Sequence, residues 1–135
     1  MPDEVGLSPV HCRIPGNLMP YGVYTIPEIS MVGATEEQLT REKTPYEAGL
    51  AHYAELAKAQ MLGDDQGLLK LLFDPTSFRL LGVHAIGERA AEIVHIGQAV
   101  LAFNGTIDYF RDAVFNYPTL AEAYKVAALD GLNKL

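Results

Sequence analysis

Two apolar runs, Leu68 to Phe73 and Phe78 to His84, constrain the fold of this chain more than any other feature of its sequence. Both are nearly continuous in leucine and valine, interrupted by charge only at Lys70 and Arg79. Between them stands Asp74-Pro75-Thr76-Ser77. Proline pre-sets φ for the second position of a type I turn, and an aspartate at the first position can bond backbone amides two residues on. An antiparallel hairpin is expected. A strand with one solvated face alternates apolar and polar residues, whereas these runs barely alternate, so the sheet is covered on both faces over much of its length. The chain's own helices can supply one cover, and another domain or subunit the second.

The remaining segments fit around that hairpin. Tyr24 to Val32 is rich in β-branched and apolar residues and reads as a strand, with Pro27 making its early part an edge or irregular. Thr35-Glu36-Glu37-Gln38 has capping-box spacing and opens a short helix to about Glu42. Tyr46 to Tyr53 reads as a strand, Ala54 to Met61 as a helical turn or its continuation, and Gly63-Asp64-Asp65 as a turn. Glu88 to Phe103 is the strongest helix. Ala91, Val94, Gln98 and Leu101 mark one side and Ala90, Ile93, Gly97 and Val100 an adjacent one, so its apolar arc is wide. Asn104-Gly105 fits a C-terminal cap, and Thr106 can cap a short helix to Ala113. Pro118-Thr119 opens the last helix, with Leu120, Ala123, Tyr124, Ala127 and Ala128 as its stripe and Gly131 near its end. Strands first and helices later indicate an α+β domain, an antiparallel sheet with helices packed on it. Residues 1–22 carry four prolines and read as an irregular lead or linker, which leaves 23–135 as the folded domain.

Composition narrows the function classes. The 135 residues suit one domain, and the formal net charge of −7 with scattered lysines and arginines argues against nucleic acid as a partner. No apolar run approaches the ~20 residues that span a membrane. The single cysteine, Cys12, allows no internal disulfide, and the cytoplasm is the expected compartment. The chain has no G-x-G-x-x-G, P-loop, G-x-S-x-G or C-x-x-C. Glu92-Ile93-Val94-His95 has the Glu-x-x-His spacing of di-metal bundles, but those need two copies, so His95 reads as a helix-face residue and no metal site is expected. His84 reads as a hydrogen-bonded core or interface residue, Cys12 as an inert thiol, and His11 and His52 carry no motif. Thr119 to Glu122 has capping-box spacing, worth ~1 kcal/mol where formed.

Three blocks carry a resemblance. Tyr24-Thr25-Ile26-Pro27-Glu28-Ile29-Ser30-Met31-Val32-Gly33 resembles the first strand of the pyridine nucleotide-disulfide oxidoreductase dimerisation domain. Leu81-Gly82-Val83-His84-Ala85-Ile86-Gly87 with Ala91-Glu92-Ile93 resembles its hairpin-to-helix signature, and Tyr117-Pro118-Thr119 with Glu122 stands where the family has His-Pro-Thr-x-x-Glu. The blocks occur in family order. The resemblance implies a homodimer whose parent chain carries its own FAD and NAD domains, and implies that backbone around Tyr117 and Pro118 reaches the flavin of the partner subunit. Tyr117 and Glu122 occupy the family's His-Glu positions. A phenol, with a reference pKa of ~10, is a poor base at neutral pH, whereas hydride exchange between flavin and nicotinamide needs no base there. The Phe115-Asn116-Tyr117-Pro118-Thr119 form and the Gly87 to Ala99 stretch are similar to the family's soluble transhydrogenase branch. That likeness implies an FAD enzyme passing hydride between NADPH and NAD⁺, with no catalytic residue in this piece alone. The alternatives are a dihydrolipoamide dehydrogenase-like disulfide reductase and a stand-alone, non-catalytic dimerisation module.

Overall fold

The computed structural model describes residues 18–135. His11 and Cys12 lie outside that range, as does most of the lead. Strand β1 (Tyr21–Val23) and β2 (Ile29–Gly33) come first, followed by α1 (Glu36–Arg41) and β3 (Glu47–His52). A single 3-10 turn (Tyr53–Glu55) leads into α2 (Ala57–Leu62), β4 (Leu68–Phe73) and β5 (Leu80–Ile86). The helices α3 (Ala90–Ala102) and α4 (Asp108–Asp112), a second 3-10 turn (Leu120–Glu122) and α5 (Ala123–Leu132) complete the domain. Among the described residues the strands form one antiparallel sheet in the order β1-β2-β5-β4-β3.

Register explains how the sheet is covered. Val32, Val83, Leu71 and Gly49 lie in one row across four strands, and Met31, His84, Lys70 and Leu50 in the next. The first row turns to the helices: an added Cβ on Gly97 of α3 would come within 2.5 Å of Val83 Cγ2, and one on Gly49 within 2.0 Å of the Ala127 carbonyl oxygen of α5. Leu69, Leu71, Phe73, Val83, Ile93, Val94, Tyr124, Ala127 and Ala128 close this core. The second row is only half-buried. The Ala34–Glu36 segment crosses it, through His84 Nε2 against the Ala34 carbonyl at 3.0 Å and a Lys70–Glu36 ion pair. The near-continuous apolar runs are thus covered on one face by α3 and α5 and on the other only in part.

Several boundaries shift for physical reasons. Tyr21 and Gly22, expected in the irregular lead, pair with Met31 and Ser30 as β1. The expected strand from Tyr24 is a loop containing the cis Ile26–Pro27 bond, and β2 starts at Ile29. The hairpin loop uses Asp74 as expected, since its Oδ1 accepts from the Thr76 and Ser77 amides at 2.9 and 2.7 Å. However, the Phe78 amide closes back on the Asp74 carbonyl at 2.9 Å with Phe78 at φ 60°, so β5 begins only at Leu80. Thr35 caps α1 by accepting from the Gln38 amide at 3.1 Å. Thr106 does not cap α4, because its hydroxyl donates to Asp108 Oδ2 at 3.2 Å. Gly131, expected to end the last helix or start its fraying, stands one residue before its last, Leu132. It lies buried within α5, where a Cβ would come within 2.5 Å of Phe73 Cε1.

Candidate functional site

The segment between α4 and α5 is the part of the domain with the least regular structure and one of its most exposed aromatic side chains. Ala113 leaves α4 in an extended conformation at φ −61°, ψ 145°. Phe115 packs against the core and Leu120 is buried in it, so the backbone is pinned on both sides of Asn116 to Thr119. Tyr117, joined to Pro118 by a cis bond, is 72% exposed. Pro118 and Thr119 form one wall of an open cleft of about 680 Å³, with Lys58 from α2, Glu28 from the β1–β2 loop, and Arg89 and Glu92 at the start of α3 opposite.

The expected Thr119–Glu122 capping box is absent, and the cause is local. The Thr119 hydroxyl turns back to donate to the Asn116 carbonyl at 2.7 Å, and the chain continues into a 3-10 turn, not an α-helix. Glu122 precedes α5 in helical conformation at φ −58°, ψ −23°. Its Oε2 is buried with no hydrogen-bond partner among the described residues.

The other wall is built by interlocking backbone contacts. Gly87 turns at φ 132°, in a space where a Cβ would come within 2.8 Å of both Gly67 Cα and Tyr53 Cε2. Its amide donates to the Glu28 carbonyl at 2.9 Å, and Glu28 Oε2 accepts from the Ala91 amide at 3.1 Å, satisfying one of the free donors at the N-terminus of α3. Arg89 starts α3 at φ 59°, an uncommon conformation for a residue with a side chain. The Tyr53 hydroxyl donates to the Glu88 carbonyl at 3.2 Å, and burial first, then the charges of Asp64, Glu28 and Glu88, raise its pKa above the ordinary phenol range. Tyr124 of α5 ties the two walls together. Its hydroxyl donates to the Ile93 carbonyl at 2.8 Å and accepts from the Gly97 amide at 3.0 Å, bonding into α3 from the side.

The histidines among the described residues do not line this cleft. His84 lies in the middle of the sheet, its pKa lowered by burial, against the pull of the Ala34 carbonyl. His95 is exposed on α3 with its Nδ1 at 2.8 Å from Gln98 Oε1. Among the described residues no three histidine, cysteine, aspartate or glutamate side chains gather as metal ligands would. Sequence reasoning singles out Tyr117, Pro118 and Glu122, and the structure keeps them in one segment beside the cleft. It misses Lys58 and Arg89 as cleft residues, because nothing in the sequence signals that α2 comes beside Pro118.

A family model for the pyridine nucleotide-disulphide oxidoreductase dimerisation domain matches residues 19–128. The chain belongs to this family. Its antiparallel sheet and packed helices are those of a dimerisation domain. The soluble pyridine nucleotide transhydrogenase of Photobacterium profundum is 58% identical over 120 residues, which is 87% of this chain and 26% of that protein. The enzyme of the same name from Mycobacterium bovis is 57% identical over 118 residues, 87% of this chain and 25% of that one. The dimerisation domain thus spans about a quarter of the length of the curated relatives it matches. The HOCl-induced flavoprotein disulfide reductase RclA from Escherichia coli shares its fold with a TM-score of 0.78 at 26% identity, covering 82% of this chain and 26% of that one. LpdA from Mycobacterium tuberculosis has the same fold, with a TM-score of 0.79 at 18% identity over 84% of this chain and 25% of that one.

Proposed function

We propose that this dimerisation domain serves a soluble FAD-dependent NAD(P)⁺ transhydrogenase, whose full chain moves hydride between NADPH and NAD⁺ in the cytoplasm. The observation that carries the reading is Tyr117, a phenol in the position where disulfide-reducing members of the family place a histidine. It occurs within a stretch 57–58% identical to proteins named soluble pyridine nucleotide transhydrogenase. FAD and nicotinamide are held mainly by parts of the parent outside these 135 residues, and bound FAD supplies the two-electron centre. From this chain, Tyr117 and Pro118 meet the flavin edge of the partner subunit. An exposed phenol beside a proline ring on the rim of an open cleft suits contact with a flat heteroaromatic ring. These residues position and exclude water. No proton is assigned to the Tyr117 hydroxyl, since a phenol is a weak base at neutral pH.

A dihydrolipoamide dehydrogenase-like disulfide reductase is the second reading, favoured by the likeness to RclA. One experiment separates the two. The full-length flavoprotein is given NADPH with either NAD⁺ or a disulfide such as lipoamide as acceptor. Turnover with NAD⁺ alone supports the transhydrogenase. Efficient disulfide reduction refutes it.

A further inference from the structure

We propose that Glu47, Glu55, Asp130 and Lys134 form a guard that closes the free edge of β3 to any further strand. Among the described residues β3 pairs with β4 alone, so its other side is an edge of the sheet. The strand has six residues and runs for about 20 Å. An edge of that length presents a row of backbone donors and acceptors on which another strand can pair. The opposite edge, β1, has only three residues, and shortness by itself blunts an edge.

Alternate residues of β3 turn their amides to the free side, and a carboxylate takes each one. The Ala48 amide donates to Glu47 Oε1 at 2.9 Å, the Leu50 amide to Asp130 Oδ2 at 2.9 Å and the His52 amide to Glu55 Oε2 at 3.4 Å. Lys134 Nζ donates to the Ala48 carbonyl at 2.8 Å and to Asp130 Oδ2 at 2.7 Å. The Asp130–Lys134 pair thus bridges two edge groups, the Ala48 carbonyl and the Leu50 amide, that an added strand would need. Against its burial, the Lys134 ammonium and the Leu50 amide hold the Asp130 carboxyl below the usual carboxylate range, so at neutral pH it only accepts.

Two glycines position the guard. A Cβ on Gly49 would come within 2.0 Å of the Ala127 carbonyl oxygen, and one on Gly131 would stand 3.2 Å from Gly49 Cα. Glycine at both places lets the end of α5 lie against β3. Asp130 then reaches Leu50, and Lys134, four residues on, reaches Ala48. Beside the edge runs a groove of about 530 Å³ lined in part by Leu50, Val126 and Leu129, the last of them 42% exposed. An open edge beside apolar surface is an aggregation hazard, and charged side chains on the edge are a means of removing it. A strand entering here must break the ion pair and leave its charged groups without their edge partners.

The test follows β-aggregation of the 135-residue chain and its variants by thioflavin T at neutral pH, with circular dichroism to verify folding beforehand. The double variant Asp130→Ala/Lys134→Ala uncovers the Ala48 carbonyl and the Leu50 amide, and its rate should rise at least ~10-fold over wild type. It should also outpace Tyr124→Phe, which removes a buried hydroxyl but leaves the guard intact. Lys134→Ala alone changes an exposed side chain and moves the net charge further from zero, which by itself opposes association. Its rate should nevertheless rise ~3-fold, and it decides the matter if the double variant does not fold. Hydrogen exchange locates the contact: in aggregates of either variant the Leu50 amide should exchange at least ~10-fold more slowly than in the soluble folded chain. A double variant that folds yet aggregates no faster than Tyr124→Phe overturns the guard. So does a Lys134→Ala rate at or below wild type, or a Leu50 amide no better protected in the aggregates. Turnover of the full-length flavoprotein does not enter these readouts, so the guard and the transhydrogenase reading can fail separately.

Discussion

Tyr124→Phe removes one oxygen from the centre of the domain and tests how α5 is tied to α3. The Tyr124 ring is fully buried and stacks at 4.7 Å from the Phe110 ring, and the variant keeps that packing. What disappears is a hydroxyl with two backbone partners, the Ile93 carbonyl and the Gly97 amide. Those two groups are four residues apart on α3, so each can still satisfy the other within the helix, and neither is stranded. The cost is therefore two ordinary buried hydrogen bonds, each worth about 1 kcal/mol, less the gain from no longer desolvating a hydroxyl. The net loss is about 1–2 kcal/mol. For a domain of this size that lowers Tm by roughly 4–8 °C. Removing the ring itself, as in Tyr124→Ala, would cost about 3–5 kcal/mol, so the two effects are separable by magnitude. Thermal unfolding by circular dichroism gives the total, and hydrogen exchange at the Gly97 amide gives the local part. An unchanged Tm with unchanged Gly97 protection would show that the phenol hydroxyl contributes nothing to joining the helices, and Tyr124 would no longer tie the two walls of the cleft together.

Gly49→Ala and Gly131→Ala should both destabilise the domain, although alanine is the better residue in a strand or helix by about 0.5–1 kcal/mol. At Gly49 the added Cβ meets the Ala127 carbonyl oxygen at 2.0 Å, and backbone cannot yield. At Gly131 it meets the Phe73 ring at 2.5 Å, so Gly49→Ala should show the larger drop in urea midpoint. His84 has its pKa lowered by burial, so between that lowered value and the unfolded ~6.5 only the unfolded chain binds the proton. Its contribution is present above pH ~6.5 and is lost as pH falls below it. His84→Gln should therefore reduce the fall in urea midpoint between about pH 7.5 and 5.5, and identical pH slopes in the two proteins would contradict the assignment. In the full-length enzyme, Tyr117→His should keep NADPH-to-NAD⁺ turnover within about tenfold, because no proton transfer of the size expected of a general base is assigned to that side chain. A collapse of turnover with flavin and dimer retained would show that the phenol does chemistry.

Much of the sheet is legible in the sequence because its signals are short-range. The unalternating Leu68–Phe73 run, the Asp74 turn and the Thr35 cap each depend on residues within a few positions, and each is present in the structure. The α3 boundaries and the apolar stripe Leu120, Ala123, Tyr124, Ala127 and Ala128 are likewise set by helical period, and all five stripe residues are buried. Gly131 is only half legible in the same way: local rules place it near the helix end, and α5 does end one residue later, but they cannot see Phe73, 58 positions away, whose ring leaves no room for a side chain there.

The segment around Tyr117 stands out in the sequence, but its bonding does not. Capping-box spacing at Thr119 and Glu122 presumes that an α-helix starts at once, with its amides pointing at the threonine oxygen. The 3-10 turn removes that geometry, and the Thr119 hydroxyl serves the Asn116 carbonyl instead. Glu122 is thereby released from capping, yet its Oε2 is enclosed and unpaired among the described residues. A buried carboxyl oxygen without a partner costs stability, and nothing in the helix start offsets it. In this family the matched glutamate accompanies a histidine, whereas here the residue at 117 is a tyrosine whose ring points largely to solvent. A proton-handling pair would need both members facing each other. What the segment keeps is its backbone course, held by Phe115, Leu120 and the Thr119–Asn116 bond. That is the part a hydride-transferring enzyme could still use to shape the flavin's surroundings.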